Sequence, residues 1–355
     1  MIFNIPIEKY EERYTEQWSR WFTKAYEELG LSYVNVEGDQ LVNTVETGAV
    51  LDVYGTHYYK FSQLQKLMKM LRNNEIGDDD ILFFHDLWFP GIEALQYIRN
   101  ITDKKFKIWG ILHAGTWDKN DFTYLNGMRN WAKYVEGGWL QFFDKIFLGS
   151  EFHKDLIIFN SLGMSEKGYI SKSMDSKLVV TGIPFEYEEV QRSKIKENIV
   201  IFPHRLDKEK RPDLFDKLAD ELRLKYPDWQ FIKTKDVCPT KEAYYQLLGK
   251  SKIAVSFAEQ ETFGYAMLEA IANGCIPVVP NKLSYSTMDI YKNNRFKTFT
   301  YMKWAIEYLI SGKLPDRCPE WFIPQLFSKI KTDNFEEELK QYQTVNIINK
   351  IFNEN

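Results

Sequence analysis

Cysteine is scarce. Cys238, Cys275 and Cys318 are the only three in 355 residues, and none stands in a CxxC spacing. An odd, scattered set supports neither a disulfide framework nor a cysteine zinc site, and it suits a reducing cytoplasm. No apolar run approaches the ~20 residues that span a bilayer. The opening MIFNIPIEKYEERY turns charged too early for a secretory signal. GxSxG, P-loop and HExxH motifs are missing, and so is the N-terminal GxGxxG of nicotinamide enzymes. Net charge is only −4, so overall electrostatics do not announce a nucleic-acid binder.

Hydrophobic residues make up 44% of the chain and charged residues 27%, enough apolar surface to offset chain entropy and exclude disorder. Aromatics are frequent, with 25 Phe, 21 Tyr and 10 Trp. Most such bulk fills cores, although rings also stack on sugars or bases. At roughly 100–200 residues per domain, the length predicts two domains.

Short apolar runs alternate with helical patterns. Residues 16–29 carry apolar residues at helical spacing before Gly30, and 57–74 repeat the pattern. Strands are expected at Ile81–Phe84, Lys107–Leu112, Lys145–Leu148 and Leu178–Thr181, separated by helices near 90–99, 127–142 and 152–160. The alternation restarts after a charged linker near 190. Strands follow at Ile199–Phe202, Gln230–Thr234, Ile253–Phe257 and Ile276–Val279, with helices near 212–225, 240–249 and 263–273. Apolar strands alternating with helices argue an α/β protein with parallel sheets. Ligands of such sheets bind outside the carboxyl ends of the strands, so the loops there carry function.

The segment EQETFGYAMLEAIANGCIPVVPN, residues 259–281, reads strand, loop, helix, glycine stop, strand. Thr262 is a candidate N-cap and Gly274 a candidate C′ residue. Glu261 and Glu269 are eight helical steps apart, an advance of ~12 Å with a rotation of ~80° beyond two turns, so both acids can face one ligand. Between them a helix N-terminus offers N–H groups to an anion, and Gly264 permits close backbone approach. This suits a nucleotide sugar: Glu261 on sugar hydroxyls, the helix end on the diphosphate, Glu269 on the ribose. Thr262, Phe263, Gly264 and Tyr265 complete the donor-binding set. A second segment, FPHRLDKEKRPD, crowds Arg205, Lys208, Lys210 and Arg211 behind the strand Ile199–Phe202. A third, WGILHAGTWDKNDF, places His113 just after a strand, with Thr116, Trp117 and Asp118 behind it. His85 and Asp86 end the preceding strand in the same way.

Glu-Thr-Phe-Gly, Leu-Glu-Ala-Ile-Ala and Asn-Gly-Cys-Ile-Pro-Val-Val together resemble the donor signature of family 4 retaining glycosyltransferases. The resemblance implies the GT-B fold, two Rossmann-like domains facing a central cleft. It implies a first domain over 1–185 completed by a helix at about 336–355, and a donor domain over 195–335. It further implies a nucleotide-sugar co-substrate, most simply UDP-glucose, with no metal and no bound cofactor. The basic loop resembles the family's arginine-lysine loop, so Arg205 and Lys210 would neutralise the diphosphate as the bond breaks, with Pro203-His204 where a glycine is usual. His113 would meet the transferred sugar and join Glu261, Arg205 and Lys210 as catalytic. The family's glycine-rich first loop is absent, and Arg13, Tyr14, Thr15 and Glu16 would replace it with side-chain contacts. Asp78-Asp79-Asp80 contains Asp-x-Asp but precedes a strand, and reads as a solvated turn.

For the acceptor, Arg13, Glu16, His85, Asp86, Trp117 and Asp118 are the candidates, with Trp88 and Phe122 for stacking. Residues 53–74 hold no acid but include Lys60, Lys66, Lys69 and Arg72, and Arg99, Lys104, Lys105 and Lys107 follow. FPHRL, HAGTWD and RYTEQW resemble, more loosely, phage-type enzymes that glycosylate hydroxymethylpyrimidines in DNA. That resemblance implies DNA as partner. A cell-surface glycan or lipid-linked acceptor is the alternative, and a non-catalytic nucleotide-sugar-binding protein is the alternative of another class.

Overall fold

The computed structural model describes residues 1–10, 14–41, 52–160, 172–186, 193, 195–313, 315, 318–319 and 330–354. The chain divides into two compact units. Unit 1 comprises Met1–Gly149, His153–Pro184 and Thr344–Asn355, and unit 2 comprises Ser150–Phe152 and Phe185–Gln343.

Unit 1 holds six parallel strands: β1 (Ile2–Ile5), β2 (Tyr33–Asn35), β3 (Ile81–Phe84), β4 (Lys107–Ile111), β5 (Lys145–Leu148) and β6 (Leu178–Val180). Their order is β2-β1-β3-β4-β5-β6. Six of its helices are α1 (Tyr14–Glu28), α2 (Gly55–Arg72), α3 (Glu93–Thr102), α4 (Phe122–Leu125), α5 (Arg129–Phe142) and α6 (Glu151–Asn160), the first turn of α6 being counted in unit 2. Another, α7 (Lys172–Lys177), leads into β6. ILFF is apolar on both sides and IFNI is too except at Asn4, so each face of the sheet needs a cover. Leu82, Phe84, Ile108 and Ile146 pack under α2, α3 and α5 through Leu67, Leu71, Leu95, Trp139 and Leu140. Phe83 turns the other way, its ring 6.0 Å from Phe22 of α1. That face is closed by the terminal helix Thr344–Phe352, where the Phe352 ring lies 5.0 Å from Phe83 and 5.7 Å from Trp109.

Unit 2 has β7 (Ile199–Phe202), β8 (Gln230–Lys233), β9 (Ile253–Val255), β10 (Ile276–Pro280) and β11 (Arg295–Phe296), all parallel in the order β11-β10-β9-β7-β8. Its helices include α8 (Pro212–Arg223), α9 (Thr234–Val237), α10 (Lys241–Lys250), α11 (Tyr265–Ala272), α12 (Ser284–Thr287) and α13 (Phe299–Ser311). Phe215, Leu218 and Leu222 of α8 and Met302 and Ile306 of α13 pack with Val200, Phe202 and Val255 of the strands.

The main strands stand where the apolar runs place them, with ends shifted by a residue or two. The edge strands β2 and β11, three and two residues long, are too short to carry such a run. The unit boundary falls at 184/185, where the expectation ended the first domain at 185 and began the second at 195. The returning segment starts at Thr344, because the helix Glu336–Lys340 buries Leu339 in unit 2. Most of the expected linker lies outside the described residues.

Candidate functional site

Parallel sheets form a crevice where successive crossovers leave in opposite directions, and ligands sit at that switch point beyond the strand ends. In unit 2 the switch lies between β7 and β9, since β8 pairs on one side of β7 and β9 on the other. The loops that emerge there are 203–211 and 256–264, the two segments singled out above. Lys210 closes a 3-10 turn (Lys208–Lys210), and its ammonium donates to the carbonyl of Gln260 at 2.6 Å and to Glu261 Oε2 at 3.2 Å. Both partners of this ion pair are largely enclosed, with side chains 8% and 15% exposed. Arg205 stands at the rim, 51% exposed, paired with Asp207 at 3.1 Å and Glu209 at 2.8 Å. His204, next to Arg205 in the chain, is buried. Burial holds it well below the usual imidazole range, and Lys210 and Arg205 push the same way. It is therefore neutral and adds no charge to the loop.

Gly264, not Thr262, is the residue before α11. Its φ of +99° lies where only glycine is relaxed, and a Cβ there would stand 3.2 Å from the Tyr285 ring. The expected cap at Thr262 is lost because the chain makes this glycine turn before the helix begins. Gly274 does follow the helix with φ +82°. The Phe263 side chain is buried, packed 5.4 Å from Tyr265 and 5.5 Å from Tyr342, so only its backbone is available to a donor. The Tyr285 hydroxyl meets Ser256 Oγ at 3.1 Å, and burial raises the pKa of both Tyr285 and Tyr291 well above the ordinary value.

Glu269 lies further along the same helix. Its two carboxylate oxygens each accept a tyrosine hydroxyl from α10, Tyr244 on Oε2 and Tyr245 on Oε1, both at 2.8 Å. Burial, followed by this carboxylate, holds the Tyr244 phenol well above its usual pKa, so it stays a donor. These tyrosines escaped the sequence reading. Two adjacent tyrosines on an ordinary helix carry no local signal of a partner in another helix.

The unit 1 switch lies between β1 and β3. Asp86, just past β3, accepts from the Lys60 ammonium at 2.7 Å. Lys60 is buried and also donates to the Trp88 carbonyl at 2.5 Å. His113, past β4, donates from Nε2 to the His85 carbonyl at 2.8 Å, which leaves Nδ1 to accept from the Tyr14 hydroxyl at 3.3 Å. Burial lowers the His113 pKa, Asp86 and the His85 bond oppose that, and Lys60 adds to it. Glu8, past β1, is buried with Oε1 accepting from Thr56 and Oε2 unpartnered.

Several acceptor-side expectations need correction. The His85 ring is buried, 4.0 Å from Phe22 and 2.6 Å from Asn4 Oδ1, with its pKa driven down to about 3 by burial. It is a core histidine. Trp117 belongs to the core under β4, and only glycine at 115 clears its ring, since a Cβ there would lie 2.2 Å away. Asp118 is buried and accepts from the Asn120 amide at 2.9 Å, closing a turn. Thr116 is held by buried Glu136, which also accepts from Trp88 Nε1 at 3.1 Å. Glu16 sits on α1, 3.3 Å from Arg20. Arg13 lies outside the described residues. Asp80 accepts from the N-terminal ammonium and the Gly77 amide, both at 2.7 Å, and Asp78 accepts from the Lys105 amide at 3.1 Å. Among the described residues, no group of three or more His, Cys, Asp or Glu is placed to hold a metal ion. No helix there is long and apolar enough to cross a membrane.

The expected basic surface also thins. Besides Lys60, Arg99 is tied to Asp144 at 2.6 Å and to the carbonyls of Phe106 and Phe142, and Lys66 pairs with Asp39 at 2.7 Å. Lys69 and Arg72 remain exposed.

No family model matches the chain. A stretch of 126 residues, 35% of this chain, is 31% identical to tRNA-queuosine alpha-mannosyltransferase of Drosophila melanogaster and covers 28% of that protein's length. Among solved structures, the sucrose-phosphate synthase of Thermosynechococcus elongatus superposes with a TM-score of 0.58 at 12% identity, covering 100% of this chain and 99% of that one. A mutant of S. aureus TarM, in complex with UDP, α-GlcNAc-glycerol and Fondaparinux, superposes with a TM-score of 0.53 at 15% identity over 83% of this chain and 58% of its own. The two parallel α/β units thus have the fold of the GT-B glycosyltransferases.

Proposed function

We propose that this chain is a retaining glycosyltransferase of the family 4 type. It would move a hexose from a nucleotide sugar, UDP-glucose first among candidates, to a hydroxyl borne on a modified nucleobase. The observation that carries the donor half is the enclosed Lys210–Glu261 pair just before α11, with Glu269 on the same helix. A donor diphosphate would take Lys210, Arg205 and the N–H groups of the helix start, and that positive charge replaces what a metal supplies elsewhere. Released from Lys210, Glu261 meets the sugar. Glu269 takes the ribose hydroxyls. In the reaction the bond from the anomeric carbon to the phosphate oxygen breaks and a bond to the acceptor oxygen forms on the same face. The hydroxyl proton passes to the leaving phosphate oxygen, so no opposed side-chain base is needed. His113, neutral with Nε2 committed to a carbonyl, positions the sugar and does not carry the proton.

The acceptor half is supported by the relative from Drosophila melanogaster, whose name places its own sugar on a modified nucleoside of tRNA. Hydroxymethylpyrimidine DNA is the first acceptor to test and queuosine-containing tRNA the second. Nucleotide sugars are first screened by thermal shift, since a ligand of the native state raises the midpoint by mass action. Transfer is then followed with each nucleic acid, and the anomeric configuration of the product is read by NMR. Retention on a nucleobase hydroxyl is expected. Donor cleavage with transfer only to glycans or lipid-linked sugars would move the acceptor to the cell surface. Donor binding without any turnover would leave a nucleotide-sugar-binding protein.

A further inference from the structure

Unit 1 carries an exposed row of aromatic rings that the donor chemistry does not use. Phe61 on α2 is 51% exposed, and Trp131 and Tyr134 on α5 are 51% and 71% exposed. The row is continuous between the two helices. His57 lies 6.2 Å from Phe61 and 6.4 Å from Trp88, and Trp88 lies 6.5 Å from Trp131, centroid to centroid. Trp88 is held from below by Trp139, 5.1 Å away, and by its bond to Glu136, so the row is built on a rigid base. Soluble surfaces rarely gather large rings in this way unless something covers them.

The acids nearest the row, Asp86 and Glu136 beside Trp88, are engaged by Lys60 and by Thr116 and the Trp88 indole. Residues 53–74 and 122–135, the two segments that present these rings, contain no Asp or Glu. Lys133 sits 4.8 Å over the Tyr134 ring, adding a cation to a stacking face. Exposed flat rings with the Lys133 ammonium against one of them, on segments that bear no acid, match a strand that offers both base faces and phosphates.

We propose that this row is a docking surface for unpaired nucleotides of a nucleic-acid acceptor, with Trp131 and Tyr134 stacking on bases and Lys133 on the backbone. This rests on the nucleobase reading of the acceptor and adds to it a binding track on unit 1. A flipped or single-stranded target leaves neighbouring bases unstacked, and such a track offsets that cost.

The test is fluorescence anisotropy of a labelled 20-nucleotide single strand at 50 mM salt with the full chain. The expected result is binding that favours the single strand over a duplex of the same sequence. Trp131→Ala and Tyr134→Ala should each weaken it about tenfold. Lys133→Gln should lower the salt slope by about one. Because all three side chains are exposed, the unfolding midpoints should stay at the parent value. No binding, equal binding to duplex, unchanged affinity in the variants, or binding to phosphatidylglycerol vesicles in place of the oligonucleotide would overturn the proposal. The donor-induced thermal shift is read in parallel. If it persists while the oligonucleotide fails to bind, the docking surface falls and the glycosyl-transfer reading stands. If it is absent while the oligonucleotide binds, the reverse holds.

Discussion

A carboxylate oxygen can accept two hydrogen bonds, and in Glu269 each oxygen accepts one from a tyrosine, Tyr244 or Tyr245. The two hydroxyls therefore fix the orientation of the carboxylate on α11. Tyr244→Phe and Tyr245→Phe should each raise the donor KM roughly fivefold, the value of about 1 kcal/mol for one hydrogen bond, with kcat nearly unchanged. Calorimetry on UDP and 2′,3′-dideoxy-UDP separates the causes: only the ribonucleotide should lose affinity, and equal loss on both would mean that the tyrosines merely hold the fold. Lys210 and Glu261 carry a different expectation. Glu261→Gln should chiefly lower kcat, because its contact strengthens as positive charge develops on the sugar. Lys210→Ala removes one partner of an enclosed pair and should cost about 3 kcal/mol of stability as well as donor affinity. Urea unfolding and steady-state kinetics of the two variants, each beside the parent, decide between these outcomes.

Two backbone positions at the scale of the element carry opposite signs. Gly264 turns the chain into α11 at φ +99°, and Gly264→Ala should cost about 1–2 kcal/mol while displacing the helix start from any anion it binds. Leu283 lies between β10 and α12 at φ +59° and ψ −155°, a region almost reserved for glycine. Its neighbour Ser284 ties this loop to the other, donating from its amide to the Glu261 carbonyl and from Oγ to the Phe263 carbonyl, both at 3.3 Å. Leu283→Gly should relieve strain and stabilise unit 2 by about 1 kcal/mol, and should loosen the loop that frames Glu261. Thermal midpoints of the two variants should move in opposite directions from the parent; movement in the same direction would remove strain as the explanation.

For the whole molecule, three buried histidines bear on the response to acid. His85 and His153 in unit 1 have pKa values lowered from 6.5 to about 3, in both cases first by burial, and burial also holds His204 in unit 2 well below its ordinary value. The unfolded chain binds these protons below about pH 6.5 and the folded chain does not. The stabilisation is therefore complete above pH 6.5 and is lost as pH falls toward 3, by up to about 1.4 kcal/mol per pH unit for each group. Urea unfolding at pH 7, 6 and 5 should show that decline, and His85→Asn should make it shallower in unit 1. If the diphosphate is neutralised by Arg205, Lys210 and the start of α11, turnover should also persist in excess chelator. Loss of turnover that magnesium or manganese restores would point to a metal-dependent reaction instead.

What could be read without coordinates was local in the chain. The periodicity of apolar residues placed the main strands and helices because burial of one face depends only on neighbours two, three or four positions away. The candidate site segment could be picked out for the same reason: Glu261, Gly264, Glu269 and Gly274 lie on one continuous loop and helix. Tertiary structure decided everything that depends on distant pairs. The strand order β8-β7-β9 brings Lys210 to Glu261 across 51 positions, and no spacing rule announces that. It also decided which polar residues are enclosed. His85, Trp117 and Asp118 occupy strand ends and turns, as a ligand-binding residue would, yet packing from α1 and the sheet core closes over His85 and Trp117 while a turn takes Asp118. Lys60 is one cation among four in an acid-free helix by sequence, and a buried partner of Asp86 in the fold. A linear pattern records which side of its own element a residue occupies. Whether that side meets solvent, a ligand or another element is settled only when the elements pack.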